Sequence, residues 1–382
     1  MMLRARRTGI LLLAVLLLFT EGCSLQYLSK FSGSWAAPQL SVDVALTNKT
    51  ESGICAQDIQ TAVPQFSGFN TAKLLNSKIQ TVSDDGIAEV KQAAKDLEGY
   101  LAENTDRPPV SLYFQSSFDY SENADVLSTR IYNENYTGGA HGFRWIKSYT
   151  VNMNTGEFYD TLGSLFQNEE SGKKLISDKI TAEIKKQPDN YFPEAVQTIE
   201  DKNGDFPFYL DGENLIVYFD LYDISCYAAG IPVFKFPLAD LKTKVSFNSV
   251  SPAGDVLLNG MNLDFNHKVV SNDNGDFLPL DDMAKSISLS VTEDGGKYAI
   301  DGKAVQPTII SGVAYMPIQY FNDFLKDSPL KGFVTYDGTV LRIFTQTVQS
   351  GEEKKLMRSD VNSVGSEIYL NSADSGSSSD HS

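Results

Sequence analysis

Hydrophobic and polar positions alternate along several stretches of the chain, while a few others carry apolar residues every three or four positions. A period of two is typical of half-buried strands, and the longer spacing indicates amphipathic helices. The alternating stretches predict strands at Leu40–Leu46, Val110–Phe118, Val126–Tyr136, Phe143–Met153, Leu215–Phe219 and Val233–Phe236. The helical spacing predicts helices over Asp84–Glu103 and Glu170–Lys186. For the first helix we expect Ser83 as the N-cap and a favourable dipole interaction for Asp84 and Asp85.

The order of these elements is mixed, which indicates an α+β fold with mixed sheets and packed helices. A second pattern begins near residue 251, where Asn259-Gly260 and Leu278-Pro279 are followed by the similar Asp301-Gly302 and Met316-Pro317. A period of about 42 residues predicts two copies of a strand, turn, strand and helix. We therefore expect a multidomain chain with these segments: signal peptide 1–23, linker 24–38, small α+β domain 39–109, second α+β domain 110–245, two-repeat α+β stalk domain 251–347 and disordered tail 348–382.

The N-terminus has the form of an export signal. Three arginines precede an apolar run, Ile10–Phe19, and Cys23 follows it. The run is shorter than the roughly 20 residues that span a bilayer, and it suits a signal-peptide core. Gly22-Cys23 resembles a bacterial lipoprotein cleavage site, although Thr20 and Glu21 depart from its usual residues. We expect lipidation at Cys23 and a location on the outer face of the cell membrane, with an otherwise processed anchor as the alternative.

The charge and cysteine content of the chain indicate which kinds of partner and which covalent links to expect. With 32 basic and 49 acidic residues the net charge is −17, so a nucleic-acid partner is not expected. An acidic surface suits an extracytoplasmic domain or a basic protein partner. Once Cys23 is assigned to lipid, Cys55 and Cys226 remain, and in an oxidising compartment they predict a disulfide. Two buried thiols are the alternative.

The most unusual motif is Tyr136-Thr137-Gly138-Gly139-Ala140-His141-Gly142, which joins two predicted strands. Its glycines permit positive φ angles, and a plain hairpin needs only about two turn residues. The motif also holds one of three histidines in the chain. His141 fits three hypotheses: a structural hydrogen bond within the bend, a contact to a ligand or partner, and a general base.

Aromatic residues and an arginine cluster around this motif in the sequence. The predicted binding residues are Tyr136, Gly138, Gly139, His141, Arg144 and Trp145, with Tyr132 and Phe143 nearby. Such groups suit sugar stacking or a protein hot spot, and ordinary core packing is the alternative. We predict no catalytic residue, cofactor or metal site, since the hydrolase and nucleotide motifs are absent. Asp201–Asp205 opens like a calcium loop, but Phe206 and Gly212 stand where an EF-hand needs Gly and Glu, so a polar turn is expected.

Two family resemblances follow from these residues. The glycine-rich motif, together with Asn152–Glu157, Leu162–Phe166 and Tyr222–Ile231, resembles the extracytoplasmic domain of RsiV-type anti-sigma factors and PdaC-type wall deacetylases. Residues 40–109, with Leu74-Leu75-Asn76, are similar to the smaller domain that usually precedes it. Residues 256–344 resemble the stalk domain found at the N-terminus of copper amine oxidases and on many Gram-positive envelope proteins.

The resemblance implies binding more than catalysis. RsiV-type domains recognise a secreted muramidase (lysozyme), and stalk domains present other modules or contact the wall. Nine residues precede the apolar core, so we expect no sigma-binding segment, and His141, His267 and His381 are too few for a metal-dependent deacetylase. We expect a non-enzymatic peptidoglycan-binding lipoprotein that recognises cell-wall glycan or a lysozyme-like protein. The alternatives are a component of peptidoglycan modification and a purely structural stalk.

Overall fold

A five-stranded mixed sheet organises the N-terminal half of the described chain. The computed structural model describes residues 40–104, 106, 108–123, 125–245 and 254–346, and the predicted signal peptide, Cys23, linker and tail lie outside these ranges. In spatial order the strands are β1 (Ser41–Glu51), β2 (Cys55–Ser67), β3 (Val110–Asn123), β4 (Val126–Tyr136) and β5 (Phe143–Asn152). Strands β2 and β3 are parallel, and the other neighbours are antiparallel.

One long helix, α1 (Ala72–Glu103), connects the parallel strands β2 and β3. Parallel neighbours need a crossover of this kind. The helix begins well before the predicted Asp84, so the predicted N-cap is wrong: Ser83 is buried in the middle of the helix. Ser83 and Gly86 lie on the buried face, where the ring of Phe114 in β3 comes close to the helix backbone. Small residues are needed at that crossing, and they interrupt the apolar pattern.

The predicted domain boundary between residues 109 and 110 is also wrong. Strand β2, which the sequence did not predict, pairs with β3 from Cys55↔Val110 to Thr61↔Ser116. The helix α1 packs on the same strands, and Cys55, Val90 and Phe114 share one buried cluster. Segments 39–109 and 110–152 therefore form one sheet with a single helix layer, because neither half has a complete set of strand partners alone.

A second layer follows the sheet along the chain. It consists of α2 (Glu169–Lys186), α3 (Ala195–Lys202), β6 (Phe208–Asp211), β7 (Asn214–Tyr218) and β8 (Val233–Pro237). The three strands form an antiparallel sheet in sequence order. The side chain of Asn168 caps α2 by accepting a hydrogen bond from Ser171 N at 2.9 Å, and buried Ile176, Ile180 and Ile184 face the strands. The sequence predicted α2, β7 and β8 closely and missed α3.

The C-terminal part, residues 254–346, contains three small sheets and two helices. Its first elements are β9 (Val256–Leu258), β10 (Met261–Asn262), β11 (Val270–Asn272), β12 (Gly275–Pro279), α4 (Leu280–Ser286) and β13 (Val291–Asp294). They are followed by β14 (Lys297–Ile300), β15 (Lys303–Val305), β16 (Thr308–Ile310), β17 (Val313–Pro317), α5 (Ile318–Asp327), β18 (Phe333–Tyr336) and β19 (Leu341–Phe344). The strand orders are β10-β9-β19-β18, β11-β12-β17-β16 and β13-β14-β15.

Both copies of the predicted repeat begin with a strand, a turn and a strand and end in a helix, but each contains two strands more than predicted, because β11 and β12, or β16 and β17, precede the helix. Asn259-Gly260 and Asp301-Gly302 each adopt two consecutive positive φ angles, at 50° and 82° and at 46° and 77°. Consecutive left-handed residues are what a two-residue I′ turn between strands requires. Each copy ends in a strand that leads through a proline into a helix, and these two strands, β12 and β17, pair with each other.

The C-terminal part shares a core with the first sheet, which a detached stalk domain would not do. Phe333 and Phe344 are fully buried in the cluster that contains Phe118 and Leu127, and the rings of Phe118 and Phe344 are 5.4 Å apart. Asn48 Nδ2 also donates to Gly332 O at 2.6 Å. All described residues belong to one compact unit. The predicted α+β class, with mixed sheets and packed helices, is confirmed.

No helix among the described ranges is both long enough and apolar enough to cross a membrane.

Candidate functional site

The glycine-rich motif forms an exposed bend between β4 and β5, which we call the GGAHG bend (residues 136–142). Gly138 has a φ of +99°, in the region that favours glycine. The hydroxyl of Tyr136 closes the bend by donating to Gly139 O at 2.9 Å. A Cβ on Gly142 would lie 2.8 Å from Tyr113 Oη and 2.9 Å from Asn135 O, so a side chain at this position requires its neighbours to move.

His141 joins the GGAHG bend to the loop that precedes β8. Its Nδ1 lies 2.9 Å from Gly142 O, and its Nε2 lies 3.2 Å from the hydroxyl of Tyr222. A carbonyl oxygen only accepts, so Nδ1 is the donor to Gly142 O. The imidazole also stacks on Tyr227 with ring centroids 4.0 Å apart. These contacts support the structural hypothesis for His141.

Replacing His141 with alanine should therefore loosen the GGAHG bend. It removes two hydrogen bonds and the ring contacts with Tyr222 and Tyr227, so we expect the local opening free energy to fall by about 1 kcal/mol. Hydrogen exchange of the amides of residues 138–142 measures this. His267→Ala is the matched control, because His267 contacts Asp282 in the C-terminal part. Unchanged exchange at the bend in His141→Ala would contradict the structural role.

Successive side chains of a strand point to opposite faces of the sheet, and this separates the predicted binding residues Arg144 and Trp145 of β5. Arg144 lies opposite Glu134 in the register, and its Nε donates to Glu134 Oε2 at 2.8 Å. Trp145 is the next residue, and it stacks on Phe114 with centroids 6.1 Å apart, on the face covered by α1. The predicted cluster therefore divides: Arg144 faces away from the helix, and Trp145 packs largely as core.

A cavity of about 720 Å³, the central cavity, lies on the face of the sheet opposite α1. Its walls come from β3, β4 and β5, from β6, from the loop before β8, and from β18 and β19 of the C-terminal part. Of the six residues predicted for binding, Arg144 and Trp145 border it, although the ring of Trp145 packs on the opposite face of the sheet, against Phe114. Tyr136, Gly138, Gly139 and His141 do not border it; they shape the adjoining GGAHG bend.

The floor of the central cavity holds a buried charge cluster, formed by Asp119, Arg130 and Arg342. Asp119 of β3 is 1% exposed and forms ion pairs with Arg130 Nε and, at 2.8 Å, with Arg342 Nη2. The outer sides of the arginines contact more exposed carboxylates, Asp211 at 3.3 Å and Asp337 at 2.7 Å. The carboxylate of Asp119 in β3 thus links the first sheet to Arg342 of the C-terminal part.

Two tyrosine rings cover the arginines of the cluster. Arg342 lies over Tyr132 at 4.2 Å from the ring centroid, and Arg130 lies over Tyr209 at 4.5 Å. Burial raises the pKa of Tyr209 to about 12 and raises the pKa of Tyr132 further, with the negative charge of Asp119 adding to both. Burial alone would lower the pKa of Arg342, but Asp119 raises it above its ordinary value. The arginines are therefore charged and the phenols protonated at neutral pH.

None of the three residues of the charge cluster belongs to the binding site predicted from the sequence. A signal was present: Asp119 stands between Phe118 and Tyr120, and Arg342 stands between Leu341 and Ile343. A charged residue inside a strongly apolar strand is rarely buried without a partner. Sequence alone does not pair them, because positions 119 and 342 are brought together only by the packing of the C-terminal part on the sheet.

The predicted disulfide is not formed, and Cys55 and Cys226 are both free thiols. Cys55 is 1% exposed at the start of β2, inside the cluster under α1, whereas Cys226 is exposed in the loop before β8. Burial raises the pKa of the Cys55 thiol. Its position in a closed core, away from the surface that carries Cys226, explains the absence of a bridge.

The described residues include no group of three or more His, Cys, Asp or Glu side chains that is placed to hold a metal ion. The calcium-like segment Asp201–Asp205 contains the end of α3 and its C-cap, Asn203, with φ angles of +48° at Asn203 and +75° at Gly204. It is a helix-terminating turn, in agreement with the polar-turn hypothesis.

Comparison with known proteins identifies two domain types. The family model described as deacetylase PdaC matches residues 50–144, and the model described as a protein of unknown function (DUF3298) matches residues 163–239. A solved DUF3298 family member from Bacteroides fragilis is 22% identical, with 53% of this chain and 92% of that chain covered and a TM-score of 0.40. One from Pseudomonas aeruginosa is 15% identical, with coverages of 54% and 94% and a TM-score of 0.33. No curated protein matches the chain.

The PdaC match crosses residue 109, and so supports a single sheet across the boundary that the sequence analysis placed there. The match ends at Arg144, the second residue of β5, and Tyr222 and Tyr227 of the second matched region contact the GGAHG bend at His141. The chain therefore has two successive regions that match the models described as deacetylase PdaC and as a protein of unknown function (DUF3298), a combination compatible with an extracytoplasmic protein of the cell envelope.

Proposed function

We propose that this protein binds cell-wall glycan in the central cavity and catalyses no reaction. The observation that carries the proposal is the cavity itself, about 720 Å³ lined by tyrosines, amides, hydroxyls, three arginines and four carboxylates. Ligand pockets have volumes of a few hundred to about 1,000 Å³ and combine apolar walls with a few fixed polar groups. Sugars have apolar ring faces, which tyrosine rings of the lining can contact, and many hydroxyls, which its polar side chains can bind.

The non-catalytic part of the proposal is supported by His141. A general base needs a ring nitrogen within reach of the substrate, and both nitrogens of His141 contact Gly142 and Tyr222. The deacetylase activity in the name of the matched family model is said of that family. For this chain we propose a binding role beside such enzymes, and peptidoglycan modification by the chain itself is the rival outcome.

A secreted lysozyme-like protein is the second candidate ligand. The chain carries a net charge of −17, which would steer a cationic partner toward it. Three large apolar residues near the GGAHG bend and the cavity are exposed, namely Phe143, Tyr222 and Val233. Exposed aromatic groups beside a polar rim are typical of protein interfaces.

The proposed location is the outer face of the cell membrane, with a lipid anchor at Cys23. The export pattern of residues 1–23 supports it, together with two domains that are compatible with the cell envelope. We also keep the likeness of residues 251–347 to copper amine oxidase stalk domains as part of this proposal, on the basis of the two strand–turn–strand–helix copies. A purely structural stalk would leave the central cavity without a ligand.

Calorimetric titration of the full chain with soluble muropeptides, and separately with lysozyme, tests the proposal. We expect saturable muropeptide binding that weakens at least five-fold in Arg144→Gln, because Arg144 lies on the cavity wall and is 63% exposed. Lys174→Gln is the matched control, since Lys174 is a similarly exposed cation on α2.

The other outcomes separate the rival functions. Lysozyme binding without muropeptide binding would transfer the proposal to the second candidate. Release of acetate from acetylated muropeptides would establish an enzyme. If neither ligand binds, the binding proposal is wrong and the hypothesis of a purely structural stalk is favoured.

A further inference from the structure

A group of three rings lies beside the central cavity, where the GGAHG bend meets the loop before β8. It consists of His141, Tyr222 and Tyr227, which we call the aromatic rim. The ring centroids of Tyr222 and Tyr227 are 5.9 Å apart, and His141 stacks on Tyr227 at 4.0 Å. Tyr227 also lines the central cavity. The aromatic rim is therefore continuous with the cavity wall.

The backbone of Tyr222 is strained. Its φ angle is +69°, and among the described residues it is the only aromatic residue with a positive φ. For a bulky side chain this left-handed conformation is an outlier, and strained residues cluster at functional sites. Core packing does not explain the conformation, because Tyr222 is 49% exposed. A contact outside the folded chain explains it better.

Hydrogen bonds within the chain hold the rings of the aromatic rim in place. Tyr227 Oη donates to Gly142 O at 3.0 Å, and Tyr222 Oη lies 3.2 Å from His141 Nε2. Rings that are already ordered lose little conformational entropy when a ligand binds. The aromatic rim is therefore preorganised for stacking.

The charges and the rims of the central cavity favour an uncharged chain of sugars. The lining contains three arginines and four carboxylates, and each carboxylate forms an ion pair with an arginine. Where the β18–β19 hairpin forms the wall, the exposed residues Asp337 and Thr339 are polar. Next to the loop before β8, Tyr222 and Val233 are exposed instead. A polymer that enters the cavity must leave over a rim, and this one offers aromatic and apolar surface to the sugar rings.

We propose that the aromatic rim binds the continuation of a glycan chain whose end lies in the central cavity, with Tyr222 stacking on the apolar face of a sugar ring. This inference rests on the proposed function and deepens it. The ligand is then an uncharged oligosaccharide of several units, and Tyr222 is the residue that makes affinity depend on its length.

Oligosaccharides of different length test this inference. The full chain is titrated by calorimetry with the disaccharide, tetrasaccharide and hexasaccharide of β-1,4-linked N-acetylglucosamine, which are uncharged. We expect the affinity to rise about ten-fold from the disaccharide to the hexasaccharide. Equal affinity for all three lengths, or binding of muropeptides alone, overturns the inference and leaves the proposed function standing. Absence of binding to these sugars and to muropeptides overturns both.

Tyr222→Asn tests the contact itself. It removes the ring, and asparagine adopts positive φ angles more readily than other side chains. We expect hexasaccharide affinity to fall about five-fold, the order of one aromatic contact, with disaccharide affinity unchanged and Tm unchanged or higher because strain is relieved. The statistical advantage of a longer ligand is the same in both proteins and cancels in the comparison. Unchanged hexasaccharide affinity contradicts the role of Tyr222.

Two further variants separate stacking from support of the GGAHG bend. Tyr222→Phe keeps the ring and removes the hydroxyl beside His141, so hexasaccharide affinity should stay within about two-fold of wild type. A loss as large as in Tyr222→Asn would show that Tyr222 acts by supporting His141, and would overturn the stacking assignment. Tyr100→Ala is the matched control, because Tyr100 on α1 is also 49% exposed, and it should leave all three affinities unchanged.

Discussion

Asp119→Asn is expected to lower the free energy of unfolding by about 3–5 kcal/mol. The substitution keeps the shape of the side chain and removes the only fully buried carboxylate of the charge cluster. Arg130 and Arg342, which are 4% and 3% exposed, would then share the floor of the cavity without that counter-charge. Removing one partner of a buried ion pair is strongly destabilising because the remaining charge stays desolvated.

Urea unfolding of the full chain at pH 7 measures this effect. Asp337→Asn is the matched control: it removes a carboxylate that pairs with the same Arg342 but is 40% exposed, so we expect a loss below about 1 kcal/mol. Because Asp119 lies on β3 and Arg342 on β19, the large effect should disrupt the attachment of the C-terminal part. Equal, small losses in both variants would show that the cluster does not hold the two parts together.

Gly86→Ala should destabilise the protein by about 1–3 kcal/mol, although alanine is the better helix former. A Cβ at this position in α1 would lie 2.3 Å from Cζ of Phe114, a residue that is 1% exposed in β3. The helix or the strand must shift to accept one methyl group, and the core on both sides resists the movement.

Gly99→Ala in the same helix provides the control of opposite sign. Nothing lies within 4 Å of a Cβ built on Gly99, so alanine there should stabilise the protein by about 0.5–1 kcal/mol through helix propensity alone. Urea midpoints of the two variants, measured side by side, check both values. Stabilisation by Gly86→Ala would contradict the close approach of α1 to β3.

The sequence predicted helices and strands well where the periodicity of apolar residues within the element was strong. Strand β4 has the predicted bounds, and β5 and α2 each differ from the prediction by one residue at one end. Strand β2 was missed. It contains Pro64, which is unusual inside a sheet, and Pro64 lies where β2 pairs with β1 alone, because pairing with β3 ends at Thr61.

The candidate site was likewise predicted only in part from the sequence. The GGAHG bend was found from sequence because its glycines and histidine are adjacent in the chain. Its role was left open among three hypotheses, since the partners of His141 are Tyr222 and Tyr227, about 80 positions later. Arg144 and Trp145 are consecutive residues that strand alternation sends to opposite faces, and knowing which face holds the cavity requires the layers on both sides.

The sequence by itself determined the α+β class, the order of most elements, the acidic surface and the two-copy pattern of the C-terminal part, because all of these depend on composition and short-range periodicity. Only the tertiary structure decided that β2 and β3 make one sheet across the expected boundary, that the cysteines stay apart, and that Asp119, Arg130 and Arg342 form the floor of a cavity. Those features depend on contacts between residues far apart in the chain, such as Asp119 and Arg342. Local propensity carries no information about such contacts, since they form only when separate hydrophobic faces pack together.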